Sequence, residues 1–332
     1  MNTVRTRALA ALHGLAIGDA LGMPTQLLSR SDITGRFGSI EGFEDGPADH
    51  PIAPGMRAGT VTDDTEQALL VARLLIEGDG HIAPDRFAVE LALWEKQMAA
   101  KGSADLLGPS TKRAIEAIAA GDSPLETGKY GTTNGAAMRI APVGVATPHE
   151  PLDGLLDRVV EAGLVTHNTG LGIASAAAVA ATVSAGVAGA GVGAALDAGQ
   201  RAAEAGAVRG HWVAGGDMAA RIAWARAHVV GRPEAEVLDF TYDVIGTSVA
   251  SQESVVAAFA LAQYLADDPW KAVRLAAGLG GDTDTVAAIL GAMLGACHGT
   301  GAFPAEAVTT VREVNGIDFE SLADDLLALR GR

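Results

Sequence analysis

The chain has 332 residues, of which 48% are hydrophobic and only 4% aromatic, so it can bury a large core made of small aliphatic side chains. Its formal net charge of −16 excludes the basic surface that nucleic-acid-binding proteins usually carry. Cys297 is the single cysteine, which excludes an intramolecular disulfide and a cysteine-built metal site. We therefore expect a soluble, cytoplasmic protein that binds no nucleic acid.

Two segments have the apolar character of membrane signals. The first follows Arg7, but His13 and Asp19 interrupt its apolar run, which argues against a signal peptide. The second, residues 168–196, carries no charge until Asp197 and is long enough to cross a bilayer. Because it consists mostly of Ala, Gly, Ser and Thr, it is more typical of a buried helix pair. We expect no membrane partner.

Helical periodicity dominates the chain, whereas β-branched runs and two-residue hairpin signals are scarce. The sequence shows no internal repeat and no linker, so it predicts one domain over residues 1–332 with an all-α fold, a multi-helix bundle. The predicted helices are 3–21, 63–77, 84–100, 110–120, 152–166, 170–186, 192–205, 218–228, 233–240, 251–265, 269–279, 284–298 and 304–313, with a final turn at 319–329.

Two segments lack this periodicity. Residues 24–59 contain four prolines and several glycines, and an irregular segment of this length is either a functional lid or binding loop or a solvent-exposed connection. Residues 121–144 form a second irregular segment, within which Asn134-Gly135 begins a loop whose backbone can approach a ligand closely. The alternative for this loop is a plain turn with Met138 as core filler.

Two acidic turns are the most informative feature of the sequence. Thr62-Asp63-Asp64-Thr65 and Asp282-Thr283-Asp284-Thr285 each stand where a loop enters a predicted helix. Threonine and aspartate are common N-caps, and Asp63 and Glu66 even have the spacing of a capping box. One cap needs only one side chain, however, and adjacent carboxylates repel each other unless a cation or a proton lies between them.

A cation site accounts for the surplus of acids. Mg²⁺ and Mn²⁺ prefer oxygen ligands, which carboxylates, threonine hydroxyls and water supply. If the helices that begin near Asp63 and Asp284 meet at their N-termini, four carboxylates would bracket two ions. Two such ions could also bind vicinal hydroxyls and activate a water.

The motifs, taken in order, closely resemble the ADP-ribosylglycohydrolase family, which includes the enzyme that removes ADP-ribose from dinitrogenase reductase. The resemblance extends from about residue 8 to residue 299. The motifs that carry it are Gly14-Leu15-Ala16-Ile17-Gly18-Asp19-Ala20-Leu21-Gly22, Thr62-Asp63-Asp64-Thr65, Asn134-Gly135-Ala136-Ala137-Met138-Arg139 with Pro142, Thr166-His167 and Gly280-Gly281-Asp282-Thr283-Asp284-Thr285.

The resemblance implies an orthogonal helical bundle with a dinuclear Mg²⁺ centre, or Mn²⁺ in its place, in a cleft. It implies proton transfer by Asp64 and Asp284 while a C1–N bond to ribose breaks with water as the nucleophile. The implied metal ligands are Thr62, Asp63, Asp64, Asp282, Asp284 and Thr285. The implied substrate contacts are Asn134, Gly135, Met138, His167, Asp105 and Gly281. His167 has an alternative role as a helix C-cap, and Asp19 is either a supporting residue or an exposed one.

Gln26 is the main departure from the family pattern, because many relatives carry a glutamate close to this position. Glutamine can neither act as a base nor give up a charge. Three hypotheses follow. The chain removes ADP-ribose from a modified side chain such as arginine, it hydrolyses a small N-ribosyl compound such as a nucleoside, or it is a catalytically silent relative that binds ADP-ribose. The partner is accordingly an ADP-ribosylated protein or a small ribosylated substrate, and the sequence predicts no oligomeric state.

Overall fold

A computed structural model describes residues 3–100 and 108–331, which form helices and no strand. Among these residues only two isolated β-bridges occur, Thr133 with Ala250 and Thr169 with His211. The predicted all-α fold is confirmed. The helices are α1 (Val4–Gly22), α2 (Arg30–Phe37), α3 (Asp63–Glu77), α4 (Pro84–Ala100), α5 (Pro109–Ala119), α6 (Gly135–Met138), α7 (Ala141–Ala146), α8 (Leu152–His167), α9 (Gly170–Val187), α10 (Val192–Gly206), α11 (Met218–Val229), α12 (Glu234–Asp239) followed by a π-helical turn (Phe240–Ile245), α13 (Ser251–Tyr264), α14 (Pro269–Ala277), α15 (Thr283–His298), α16 (Ala305–Asn315) and α17 (Phe319–Arg330).

The predictions were wrong for three short stretches. The segment 24–59 contains α2, which begins where the Ser29 hydroxyl accepts a hydrogen bond from the Asp32 amide. The segment 121–144 contains α6 and the start of α7, which are too short to show a helical period and are held by burial. The final stretch, predicted as a turn, is the full helix α17.

Helices α1 and α15 pack against each other with their backbones in close contact at the centre of the molecule. A Cβ atom on Gly18 would lie 2.0 Å from the Ala287 carbonyl oxygen, and one on Gly14 would lie 2.1 Å from that of Gly291. Only glycine permits so close an approach of two backbones. Because the helices run antiparallel, the C-terminal end of α1 lies beside the N-terminus of α15, where the second acidic turn begins.

Among the described residues, α9 is the one helix long and apolar enough to cross a membrane, and 94% of that stretch is buried inside the protein. It packs against α10, α15, α7 and α8. Helix α9 is therefore buried, as its small side chains predict, whereas α10 packs against it with one face and leaves the other exposed.

Candidate metal centre

The two acidic turns meet, although they are more than two hundred residues apart in the chain. The Thr62 hydroxyl oxygen at the start of α3 lies 3.4 Å from an Asp284 carboxylate oxygen at the start of α15. From the other side, the Thr285 hydroxyl donates a hydrogen bond of 3.2 Å to Oδ2 of Asp64. The structure thus brings together the side chains that the sequence predicts as metal ligands.

The four acids of these turns are buried, with exposed fractions of 6% for Asp63, 1% for Asp64, 8% for Asp282 and 2% for Asp284. Burial, and then the charges of the neighbouring acids, raise the pKa of Asp63, Asp64 and Asp284 well above the usual range. Burial also raises the pKa of Asp282, where a hydrogen bond from Asn134 acts in the opposite direction. A site with these properties retains protons until a cation replaces them.

The donor set fits a hard divalent cation. Oδ1 of Asp64 is buried and has no hydrogen-bond partner, so it offers a free lone pair in the interior. Oδ2 of the same residue lies 3.4 Å from the Thr62 hydroxyl oxygen. Neighbouring oxygens around an octahedral Mg²⁺ are about 3 Å apart, given metal–oxygen distances of about 2.1 Å. The oxygens of these turns are therefore spaced closely enough to share an ion.

Asp19 supports the first acidic turn from α1. Its carboxylate is fully buried and accepts hydrogen bonds from the backbone and side chains of Thr62 and Thr65. Burial raises its pKa to about 6, and the bonds from the two threonines limit the rise. One carboxylate oxygen of Asp19 lies within 4.8 Å of one oxygen each of Asp64 and Asp284, so Asp19 adjoins the predicted ligands.

A second support lies behind Asp63. The Gln67 amide donates to Oδ2 of Asp63 over 3.0 Å, and its oxygen accepts a bond of 3.0 Å from Arg139. Arg139 is fully buried and also donates to the Thr166 hydroxyl. Burial lowers its pKa to about 9, and the negative charge of Asp63 acts against this. The guanidinium places a positive charge behind an otherwise acidic site.

A cleft of about 270 Å³ opens over the two turns. Its lining includes carboxylates and a hydroxyl, from Asp63, Asp282, Asp284 and Thr285. Leu27, Ile52, Pro109, Met138 and Val249 form an apolar part of the wall, and Gln26, Thr111 and Asn134 add polar side chains. Thr62 and Asp64 are buried and do not line the cleft. The cleft therefore offers a ligand both acidic oxygens and apolar contacts.

Three of the predicted substrate contacts, Asn134, Gly135 and Met138, line the cleft. The Asn134 amide is already engaged, since it donates to Oδ2 of Asp282 over 2.5 Å and to the Ser254 hydroxyl over 2.9 Å. Its position in the structure therefore also serves to orient Asp282. Asp105 lies outside the described residues.

His167 and Gly281 lie behind the cleft wall. The His167 ring is fully buried between the hydroxyls of Thr133 and Thr166, at 2.9 and 2.7 Å. Burial, and then the charges of two arginines, lower its pKa well below the usual range, so the ring is neutral. A Cβ atom on Gly135 would lie 2.9 Å from this ring, so His167 supports the loop that forms the wall. Gly281 joins the second acidic turn to Leu27 and Leu28 through backbone hydrogen bonds.

Sequence reasoning missed several residues of the site. Ile52 and Val249 line the cleft from segments without periodicity, and Thr111 does so from the first turn of α5. No motif marks Ile52 or Val249, whereas Thr111 ends the segment that begins with the predicted contact Asp105 and resembles a family motif. Gln67 lies four residues after Asp63, on the same helix face, and this spacing is the one signal that could have identified it.

Glu253, in the first turn of α13, does not line the cleft and accepts a hydrogen bond from the Ser248 amide.

Comparison with known proteins identifies similar chains over nearly the whole length. The sequence profile of the ADP-ribosylglycohydrolase family matches residues 1–332. The uncharacterized protein YegU of Escherichia coli (strain K12) is 34% identical over 98% of this chain and 97% of its own. ADP-ribosyl-[dinitrogen reductase] glycohydrolase of Rhodospirillum rubrum is 31% identical over 50% of this chain and 53% of its own. A solved structure described as an ADP-ribosylglycohydrolase-related protein complex superimposes with a TM-score of 0.72, at 26% identity and with 98% of both chains covered.

Proposed function

Because the chain belongs to the ADP-ribosylglycohydrolase family, we propose that it is a metal-dependent hydrolase that cleaves an N-glycosidic bond to ribose. Its substrate in this proposal is ADP-ribose linked to a modified side chain such as arginine. The observation that supports it best is the meeting of the two acidic turns, with the Thr62 hydroxyl 3.4 Å from Asp284. Two divalent cations, Mg²⁺ or Mn²⁺, would be held by Thr62, Asp63, Asp64, Asp282, Asp284 and Thr285.

When bound, such cations supply an anchor for the vicinal hydroxyls of ribose and a water of lowered pKa. The chain's own residues do the rest. The buried carboxylates stabilise the positive charge that develops on the sugar ring as the bond to nitrogen breaks. Asp64 and Asp284 hold and transfer protons, and the apolar wall around Met138 excludes bulk water from the leaving group. Asn134 keeps Asp282 turned toward the cleft.

The partner in this proposal is an ADP-ribosylated protein, and we place the reaction in the cytoplasm. The Rhodospirillum rubrum relative is named for its action on ADP-ribosyl-[dinitrogen reductase]. The same chemistry at a ribosyl–nitrogen bond would serve this chain, with its own modified protein as the substrate.

Gln26 favours a second candidate, a hydrolase for small N-ribosyl compounds. It lines the cleft, is 4% exposed, and has a buried amide nitrogen without a partner. A neutral amide suits a neutral leaving group such as a nucleobase, whereas a guanidinium is better bound by a carboxylate. The compact cleft of about 270 Å³ with its apolar wall agrees with a flat, uncharged leaving group.

The test is hydrolysis by the purified protein with Mg²⁺ or Mn²⁺, on ADP-ribosyl-arginine and, separately, on a panel of ribonucleosides. Release of free arginine supports the first candidate, release of base from nucleosides alone supports the second, and no release from any substrate indicates a catalytically silent relative. Asp284→Ala should abolish activity because it removes a predicted ligand and proton carrier. The matched control is Asp318→Ala, which removes the acid that caps α17, and it should retain activity. Equal activity in Asp284→Ala and wild type would contradict the assignment.

A further inference from the structure

We propose that Asp19 is a positioning residue, which turns the Thr62 hydroxyl so that its lone pairs face the cation site. The inference rests on the proposed function, because it concerns how one predicted ligand is oriented. It gives a role to Asp19, which lies on α1, whereas the acidic turns lie at the starts of α3 and α15.

The carboxylate of Asp19 receives hydrogen-bond donors at both oxygens. Oδ1 accepts from the Thr62 hydroxyl at 2.8 Å and from the Thr62 amide at 2.9 Å. Oδ2 accepts from the Thr65 hydroxyl at 2.6 Å and from the amides of Thr62 and Thr65, each at 3.0 Å. An ionised carboxylate offers about four lone-pair positions, so these contacts use them. Asp19 therefore has no free oxygen with which to bind a cation itself.

The position of one proton carries the argument. The Thr62 hydroxyl has a single proton, and its oxygen lies 2.8 Å from Asp19 but 3.4 Å from both Asp64 and Asp284. The proton goes to the nearest acceptor, which is Asp19. The lone pairs of the oxygen then point toward Asp64 and Asp284, as a neutral ligand of Mg²⁺ or Mn²⁺ requires. An acceptor at position 19 thus sets the direction of the hydroxyl.

Asp19→Asn reverses this direction with little change in shape. Three donors converge on Oδ2, so the amide oxygen of asparagine takes that place and the NH₂ group faces the Thr62 hydroxyl. The hydroxyl proton must then point at Asp64 or Asp284, into the space of the cation. We expect the affinity for Mg²⁺ alone, or Mn²⁺ alone, to fall by about tenfold or more in isothermal titration calorimetry, as for other residues that support metal ligands.

Thr65→Val is the matched control. It removes the bond of 2.6 Å from the Thr65 hydroxyl to the same carboxylate and leaves Thr62 untouched. We expect a lower melting temperature with unchanged cation affinity. A loss of affinity in Thr65→Val equal to that in Asp19→Asn would show a merely structural role and overturn the proposal.

A double-mutant cycle separates positioning from direct ligation. Thr62→Val removes the hydroxyl, so adding Asp19→Asn to it should cause no further loss of affinity. An additional loss of about tenfold would mean that Asp19 acts on the cation site by a route other than the Thr62 hydroxyl, which overturns the proposal. If wild type binds a cation and Asp19→Asn binds it equally well, the proposal fails while the proposed function stands. If wild type binds no cation, the proposed function fails and this inference with it.

The pair Asp19→Glu and Asp19→Gln keeps the test decisive where Asp19→Asn does not fold. The two side chains have the same length, but only glutamate presents acceptors alone. We expect tighter cation binding in Asp19→Glu than in Asp19→Gln. Equal affinities in the two variants would overturn the proposal.

Discussion

The two acidic turns that face each other across the cleft are held by different kinds of contact. The turn at the start of α3 depends on side chains of α1 and of α3 itself. Asp19 binds Thr62 and Thr65, and Gln67 binds Asp63. A change in one of these side chains should therefore disturb the first turn while the backbone around it persists.

The turn at the start of α15 is held by its backbone. The Asp282 amide donates to the Thr247 carbonyl over 2.7 Å, and Gly281 exchanges hydrogen bonds with Leu27 and Leu28 at 2.7 and 3.0 Å. Gly280 and Gly281 both have positive φ angles, +94° and +82°. The backbone of the second turn should therefore tolerate changes in surrounding side chains but not in these glycines, while the Asp282 carboxylate still depends on Asn134.

Gly281→Ala should have the largest effect on stability. A Cβ atom there would lie 2.5 Å from the Thr247 carbonyl oxygen, which already accepts the Asp282 amide, and alanine is strained at this φ. We expect a loss of about 3 kcal/mol in the free energy of unfolding, from strain and overpacking together, measured by urea denaturation.

The control for Gly281→Ala is Gly316→Ala. Gly316 has a φ of +64° and lies in the left-handed region, but a Cβ atom added to it would have no neighbour within 4 Å, so it reports the backbone strain alone, about 1 kcal/mol. Equal losses in the two variants would show that contact with Thr247 does not hold the second turn.

The difference between local contacts and contacts of distant residues explains what the sequence could predict. Helices α3 and α4 have the predicted bounds, because caps and a three-to-four apolar spacing are local signals. The acids of both turns were also predictable, since two aspartates in one turn exceed what capping needs. The supports were not, because Arg139 lies 72 residues from Gln67 and Asn134 lies 148 residues from Asp282. Such pairs depend on the tertiary fold and leave no periodic signal.

Gln67→Leu should have an intermediate effect and act on the first turn. The change leaves Asp63 and the fully buried Arg139 each without one partner. We expect a loss of about 2 kcal/mol in the free energy of unfolding, because buried polar groups lose their hydrogen bonds. Cation affinity should fall as well, since Asp63 is no longer oriented.

Gln200→Leu is the control for Gln67→Leu. Gln200 also accepts a hydrogen bond from an arginine, Arg226, at 3.1 Å, but it is only partly buried and does not line the cleft. We expect a loss below about 1 kcal/mol and unchanged cation affinity. A larger loss in Gln200→Leu than in Gln67→Leu would contradict a special role of side chains at the first turn.

The smallest expected effect is on the pH dependence of the free energy of unfolding, and it differs between acids of the two turns. An acid whose pKa is higher in the folded state than in the unfolded chain stabilises the fold at low pH, and this contribution is lost as the pH rises through the folded value. Burial raises the pKa of Asp64 well above the usual range, whereas for Asp282 the bond from Asn134 restrains the rise. Asp64→Asn should therefore reduce the difference in unfolding free energy between about pH 5 and pH 8 more than Asp282→Asn does. The two variants should differ by on the order of 1 kcal/mol, measured by urea denaturation in EDTA.

Titrating groups away from the two turns do not affect this comparison. His13, for which burial lowers the pKa to about 4, changes stability in the opposite direction but does so equally in wild type and in both variants. If Asp282→Asn reduces the pH dependence as much as Asp64→Asn does, the hydrogen bond from Asn134 does not restrain the rise in the pKa of Asp282. The pKa of Asp282 in the second turn would then be raised as much as that of Asp64 in the first turn.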